Sequence, residues 1–113
     1  DIHPHVHWGP TTANAGDVKW NLDYSWSNID GTFGATSPMS VTDATGGTPF
    51  SHHMSHFGTI SGAGKTISSM LVGRIYRDPT DPADTYAFDA GLLEMDFHYQ
   101  IDSLGSFLPL SKE

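Results

Sequence analysis

Between Asp17 and Ile29 the chain alternates, with Val18, Trp20, Leu22, Tyr24 and Trp26 at even positions and Lys19, Asn21, Asp23 and Ser25 between them. A period of two sends successive side chains to opposite faces, so this pattern predicts a long strand with one buried face. Leu93–Asp102 repeats it. Leu93, Met95, Phe97, Tyr99 and Ile101 fall on one face, and Glu94, Asp96, His98, Gln100 and Asp102 on the other. Ile67–Arg77 differs: Ile67, Leu71 and Ile75 oppose Met70, Val72 and Tyr76, so both faces are apolar. That reads as a central strand covered from both sides. In Ile2–Trp8, Ile2, Pro4, Val6 and Trp8 share one face, and His3, His5 and His7 share the other. Phe33–Val41 and Phe50–Ile60 are weaker strand candidates, separated by the Gly46–Gly47 break.

Turn-like stretches punctuate these runs at Thr11–Gly16, Asp43–Pro49, Ser61–Gly64 and Asp78–Asp84. Helix signals are nearly missing, and no internal repeat or low-complexity tract is visible. Five to seven strands with long connections predict an all-β fold, an antiparallel β-sandwich of jelly-roll type. A chain of 113 residues suffices for one domain with a modest core, so residues 1–113 are read as a single β-sandwich domain. The chain opens at Asp1 inside a predicted strand. The expectation is that an N-terminal segment of the full-length protein precedes it.

Composition narrows the partners. Thirteen acids against five Lys and Arg give a formal net charge of -8, which offers no cationic cluster to displace counterions from phosphates. Nucleic acid and an anionic membrane surface are therefore not expected partners. No apolar run is long enough to predict a spanning helix. With no cysteine, neither disulfides nor thiolate metal sites are available.

Candidate chemistry lies in the histidines. Side chains two apart on a strand stand about 6.5–7 Å apart along its axis, so His3, His5 and His7 form His-x-His pairs that can converge on one ion. Ser51–Phe57 adds His52, His53 and His56, and His98 lies two residues from Asp96 on a polar strand face. His3, His5, His7, Asp96 and His98 are thus the candidate ligands of a transition metal. A carboxylate beside an imidazole can also orient a ligand histidine from behind. Histidines on a solvent face or a subunit interface explain the same pattern without any metal.

Other motifs are weaker. Asp78, Asp81 and Asp84 in DPTDPAD lack the spacing and glycine of an EF-hand loop and read as an Asp-Pro turn. Gly62–Lys65 (GAGK) has no P-loop frame and reads as a hairpin turn. Trp8, Trp20, Trp26 and Tyr24 fall on apolar strand faces and are expected in the core, leaving Tyr76 and Tyr86 as freer candidates for sugar contact. No nucleophile-elbow pattern is present.

The segments DIHPHVHWGPTT, VKWNLDYSWSNI and LLEMDFHYQIDSLGS resemble a group of tailed-bacteriophage and prophage structural proteins, and the resemblance spans most of the chain. It implies a β-sandwich protein of a virion, of fibre, spike, capsid-decoration or adsorption type, with a segment upstream of the IHPHVHW strand. It implies no catalytic residues. The leading expectation is therefore a non-enzymatic virion protein acting in assembly or host attachment. Its expected partners are copies of itself, a trimer suiting a fibre, other virion proteins and a host-surface glycan. Two alternatives compete. One is a cupin-like metal-dependent enzyme using the His-x-His strand, although the glutamate that cupins carry shortly after that pair is missing from Trp8–Thr12. The other is a carbohydrate-binding module built on Tyr76, Tyr86 and a surface tryptophan.

Overall fold

The computed structural model describes residues 1–99, and within them the chain forms six strands and no helix. They are β1 (Ile2–Pro10), β2 (Asp17–Ser27), β3 (Ser37–Ala44), β4 (His53–His56), β5 (Met70–Arg77) and β6 (Ala90–Tyr99). Two three-stranded antiparallel sheets result, in the orders β4-β1-β6 and β3-β2-β5. They pack through one apolar core, the arrangement of a β-sandwich.

The even positions of β1 and β2 build that core. Val6, Trp8, Val18, Trp20 and Leu22 are buried, and the Trp8 and Trp20 rings lie 6.1 Å apart between the sheets. Burying each such side chain contributes about 1.5–3 kcal/mol. Trp8 also satisfies its polar end: its indole N–H donates to Ser55 Oγ of β4 at 2.9 Å. Phe57 and Tyr86 close the ends of the core from loops.

Several expectations change. Alternation along β2 holds only to Leu22, because beyond it Ser25 and Ser27 are buried while Tyr24 and Trp26 are half-buried. The loops beside this end cover the opposite face: Ser25 Oγ donates to Gly34 O, and Asn28 bonds both Gly64 O and the Thr66 amide. The segment Ile67–Arg77 is not central. β5 begins at Met70 and lies at the edge of its sheet, with Met70 and Val72 exposed, since nothing among the described residues pairs with its second side. Gly62–Lys65 closes a turn through Lys65 N–H to Gly62 O, but not a hairpin, because β4 and β5 belong to different sheets.

β6 extends back to Ala90, and a register irregularity between His7 and Trp8 pairs Trp8 with Leu92 and His7 with Glu94. Leu93 is left without an opposite residue and is exposed, so the inward sequence does not run through it. Gln100, Ile101 and Asp102 of the predicted strand lie outside the described residues.

One flank of the sandwich is protected by Pro38 on β3 and by the shortness of β4, both common ways of blunting an edge. Among the described residues the other flank is open. There Leu22, Leu71, Gly73, Ile75, Met95 and Phe97 line an apolar groove of about 210 Å³ between β5 and β6.

Candidate metal centre

The outer face of the β4-β1-β6 sheet collects the histidines. Antiparallel register sets His56 of β4 and Asp96 of β6 on either side of His5, His98 opposite His3, and Met54 and Glu94 on either side of His7. Side chains directly opposite in neighbouring strands approach closely on their shared face. The odd positions of β1 therefore meet the polar positions of both neighbours, and the two histidine clusters of the sequence become one.

His5 is the centre. It is 2% exposed although it points away from the core, because the His56 and His98 rings stand edge-on against it at 4.2 and 4.1 Å between centroids. Its Nδ1–H donates to Asp96 Oδ1 at 3.1 Å, and His7 Nε2–H donates to Asp96 Oδ2 at 3.1 Å. His98 Nε2 stands 3.7 Å from Asp96 Oδ2. His7 Nδ1 in turn lies 2.7 Å from Nε2 of the exposed His52. One carboxylate thus organises three imidazoles from two strands.

The charges follow from this packing. Burial, reinforced by neighbouring His56 and His98, pushes the His5 imidazole below its ordinary value despite the hydrogen bond to Asp96. Burial alone would raise the Asp96 carboxyl. The hydrogen bond and charge of His7, with contributions from His98 and His5, outweigh it and hold Asp96 below the usual carboxylate range. An ionised carboxylate beside a neutral imidazole is the protonation state that a metal ion requires of its ligands.

His5, Asp96 and His98 can each offer one ligand atom, and these atoms lie within 4.8 Å of one another. Ligands on a tetrahedral ion at 2.0–2.1 Å stand about 3.3 Å apart. The three ligand atoms must therefore draw together from separations of up to 4.8 Å, and His5 binds in the tautomer that leaves its ligand nitrogen unprotonated.

Of the residues singled out in the sequence, His5, Asp96 and His98 come together, and His7 joins them through Asp96. His3 does not converge with them: it is exposed and its Nδ1 lies 3.1 Å from Thr59 Oγ1. His53 has the opposite parity and turns inward to stack on Trp8 at 4.9 Å. His56 and His52 reach the face because β4 pairs with β1, which their even-numbered spacing was compatible with but did not establish.

The other candidates are engaged elsewhere. Tyr86 is 3% exposed and its hydroxyl bonds Thr12, so it is a core residue and not a free sugar platform; the chain must cover it to close the sandwich end. Tyr76 lies under the Arg74 guanidinium at 4.1 Å. Asp84 is taken by Arg77 and the Lys19 amide, and Asp81 by the Lys19 ammonium at 2.8 Å. The loop carboxylates therefore clamp β2 to β5 and the β5–β6 connection.

Compared with protein-family models, curated proteins and solved structures, the chain matches none.

Proposed function

We propose that this domain is a non-enzymatic structural module whose histidine-clad sheet face holds one first-row transition-metal ion through His5, Asp96 and His98. The observation that carries the reading is the burial of His5 among His56, His98 and Asp96 on the side of the sheet facing away from the apolar core. A merely solvated polar face would leave such a side chain exposed. Imidazole with carboxylate suits zinc, nickel, copper or iron.

The assembly role draws on two further features. The resemblance of the IHPHVHW and DFHYQID stretches to phage structural proteins supports a virion setting, as a fibre, spike, decoration or attachment module. The β5–β6 flank, open among the described residues, supports association with further copies or other virion proteins, because long edges with exposed apolar side chains invite pairing. A jelly-roll-type winding is supported by the chain's repeated crossing between the sheets, at β1–β2, β3–β4, β4–β5 and β5–β6.

The test is zinc titration of protein purified without a histidine tag, followed by calorimetry and native mass spectrometry, for the wild type and His98→Ala. Loss of one tightly bound ion in His98→Ala, with the circular dichroism spectrum unchanged, supports the site. Identical zinc binding in both proteins overturns it. The same three ligands leave coordination positions open, which favours a metal-dependent enzyme as the second reading. A turnover that disappears with His98→Ala would replace the structural role by that one.

A further inference from the structure

His7 and His52 stand apart from the three ligands just described, yet their nitrogens lie closer together than any other pair on the face. His7 Nδ1 is 2.7 Å from His52 Nε2, the ring centroids are 5.0 Å apart, and the rings are tilted by only 33°. Proton accounting fixes what this contact means. His7 Nε2 faces a carboxylate oxygen, Asp96 Oδ2, at 3.1 Å, so the ring proton belongs on Nε2. Nδ1 then carries a bare lone pair directed at His52. With no ion between them, His52 Nε2–H donates to that lone pair. With an ion there, the other tautomer of His52 presents a second lone pair.

We propose that His7 Nδ1 and His52 Nε2 form a second, outward transition-metal site, with Asp96 holding the His7 ring from behind. The arrangement has the parts of a carboxylate–histidine–metal relay, in which the outer carboxylate fixes the tautomer and orientation of the ligand ring. Two nitrogens at 2.7 Å must open to about 3.3 Å for a tetrahedral ion. His52 supplies the movement, because it is exposed and precedes the first residue of β4.

The site is distinct from the inner one but coupled to it. Asp96 Oδ1 faces His5, and Oδ2 faces both His7 and His98, so one carboxylate serves the inner site as a ligand and the outward site as an orienting group. With two protein ligands and remaining positions open to solvent, the outward site takes a nitrogen-preferring ion such as zinc, nickel or copper. It binds more weakly than the inner site.

This inference shares Asp96 with the site proposed above, and the variants separate the two. The experiment counts zinc ions per chain by native mass spectrometry and resolves the binding steps by calorimetry. It uses the wild type, His52→Ala, His98→Ala and Asp96→Asn. Two ions are expected in the wild type. His52→Ala should lose only the weaker, and His98→Ala only the tighter. Asp96→Asn should lose the tighter and weaken the other about 10–100-fold, the usual effect of removing a carboxylate behind a ligand histidine.

A wild type that binds one ion, lost in His98→Ala and retained in His52→Ala, overturns the second site and leaves the first standing. One ion lost in His52→Ala and retained in His98→Ala does the reverse. No binding by the wild type overturns both. Because His52 is exposed and outside the strand ladder, His52→Ala leaves the fold intact, and circular dichroism checks this directly.

Discussion

Replacing Asp84 by alanine probes the clamp that holds the β5–β6 connection and, through it, the strand carrying Asp96 and His98. The Asp84 side chain is 0% exposed and accepts from Arg77 Nε at 2.9 Å, Arg77 Nη2 at 2.7 Å and the Lys19 amide at 2.9 Å. Alanine leaves the Lys19 amide unpaired and deprives a guanidinium that is 15% exposed of its counter-charge. Breaking a buried ion pair by removing one partner costs about 3–5 kcal/mol. Arg77 still donates to the carbonyls of Tyr86 and Phe88, which sets the expected loss near the lower end, at about 3 kcal/mol. At about 2.1 cal/mol/K of unfolding entropy per residue, that corresponds to a melting temperature lower by about 12 °C.

The pH dependence gives this prediction a second, independent check. Burial alone would raise the Asp84 carboxyl, but hydrogen bonds from Arg77 and the Lys19 amide, with the Arg77 charge, hold it below its ordinary 3.8. A carboxyl whose folded pKa is depressed contributes stability that is fully present above the unfolded value. That stability is lost as the pH falls through the folded value. The gap between wild type and Asp84→Ala should therefore be widest near neutrality and shrink on acidification. Urea unfolding followed by tryptophan fluorescence at neutral pH and near pH 3 measures both quantities. A neutral-pH difference below about 1 kcal/mol, or a gap that widens in acid, refutes the argument.

Three other consequences are open to measurement. His5 has a folded pKa below its ordinary 6.5, so the unfolded chain takes up that proton first and stability falls as the pH drops below 6.5. Urea midpoints between pH 8 and 5.5, without added metal, should show this slope, and His5→Gln should flatten it. Ser55→Ala removes the acceptor of the buried Trp8 indole N–H and should cost about 1–3 kcal/mol in chemical denaturation. Phe97→Lys places a charge in the β5–β6 groove and should shift any self-association to monomer in light scattering while leaving the fold unchanged; an unaltered oligomer would show that assembly uses another surface.

Local hydrophobic patterning was enough to specify the strands of this protein. The alternation of Val18, Trp20 and Leu22, and of Val6 and Trp8 against His5 and His7, specified strands and their buried faces, because a period of two admits few other structures. It also placed three histidines of β1 together on the polar side, and Asp96 with His98 on the polar side of another strand. It was silent on which strands are neighbours, since pairing is decided between segments tens of residues apart.

Only the tertiary structure seated β4 and β6 on either side of β1, with His56 and Asp96 opposite His5. That register gathers five imidazoles and one carboxylate into a single cluster; His53, of the wrong parity, turns to the other face, and His3, on the same face, bonds Thr59 instead. The same long-range choices put the apolar β5 at an edge and drew Tyr86 into the core. Hydrophobic pattern fixes which side of a strand is buried, whereas the number of neighbours on that side depends on the whole chain.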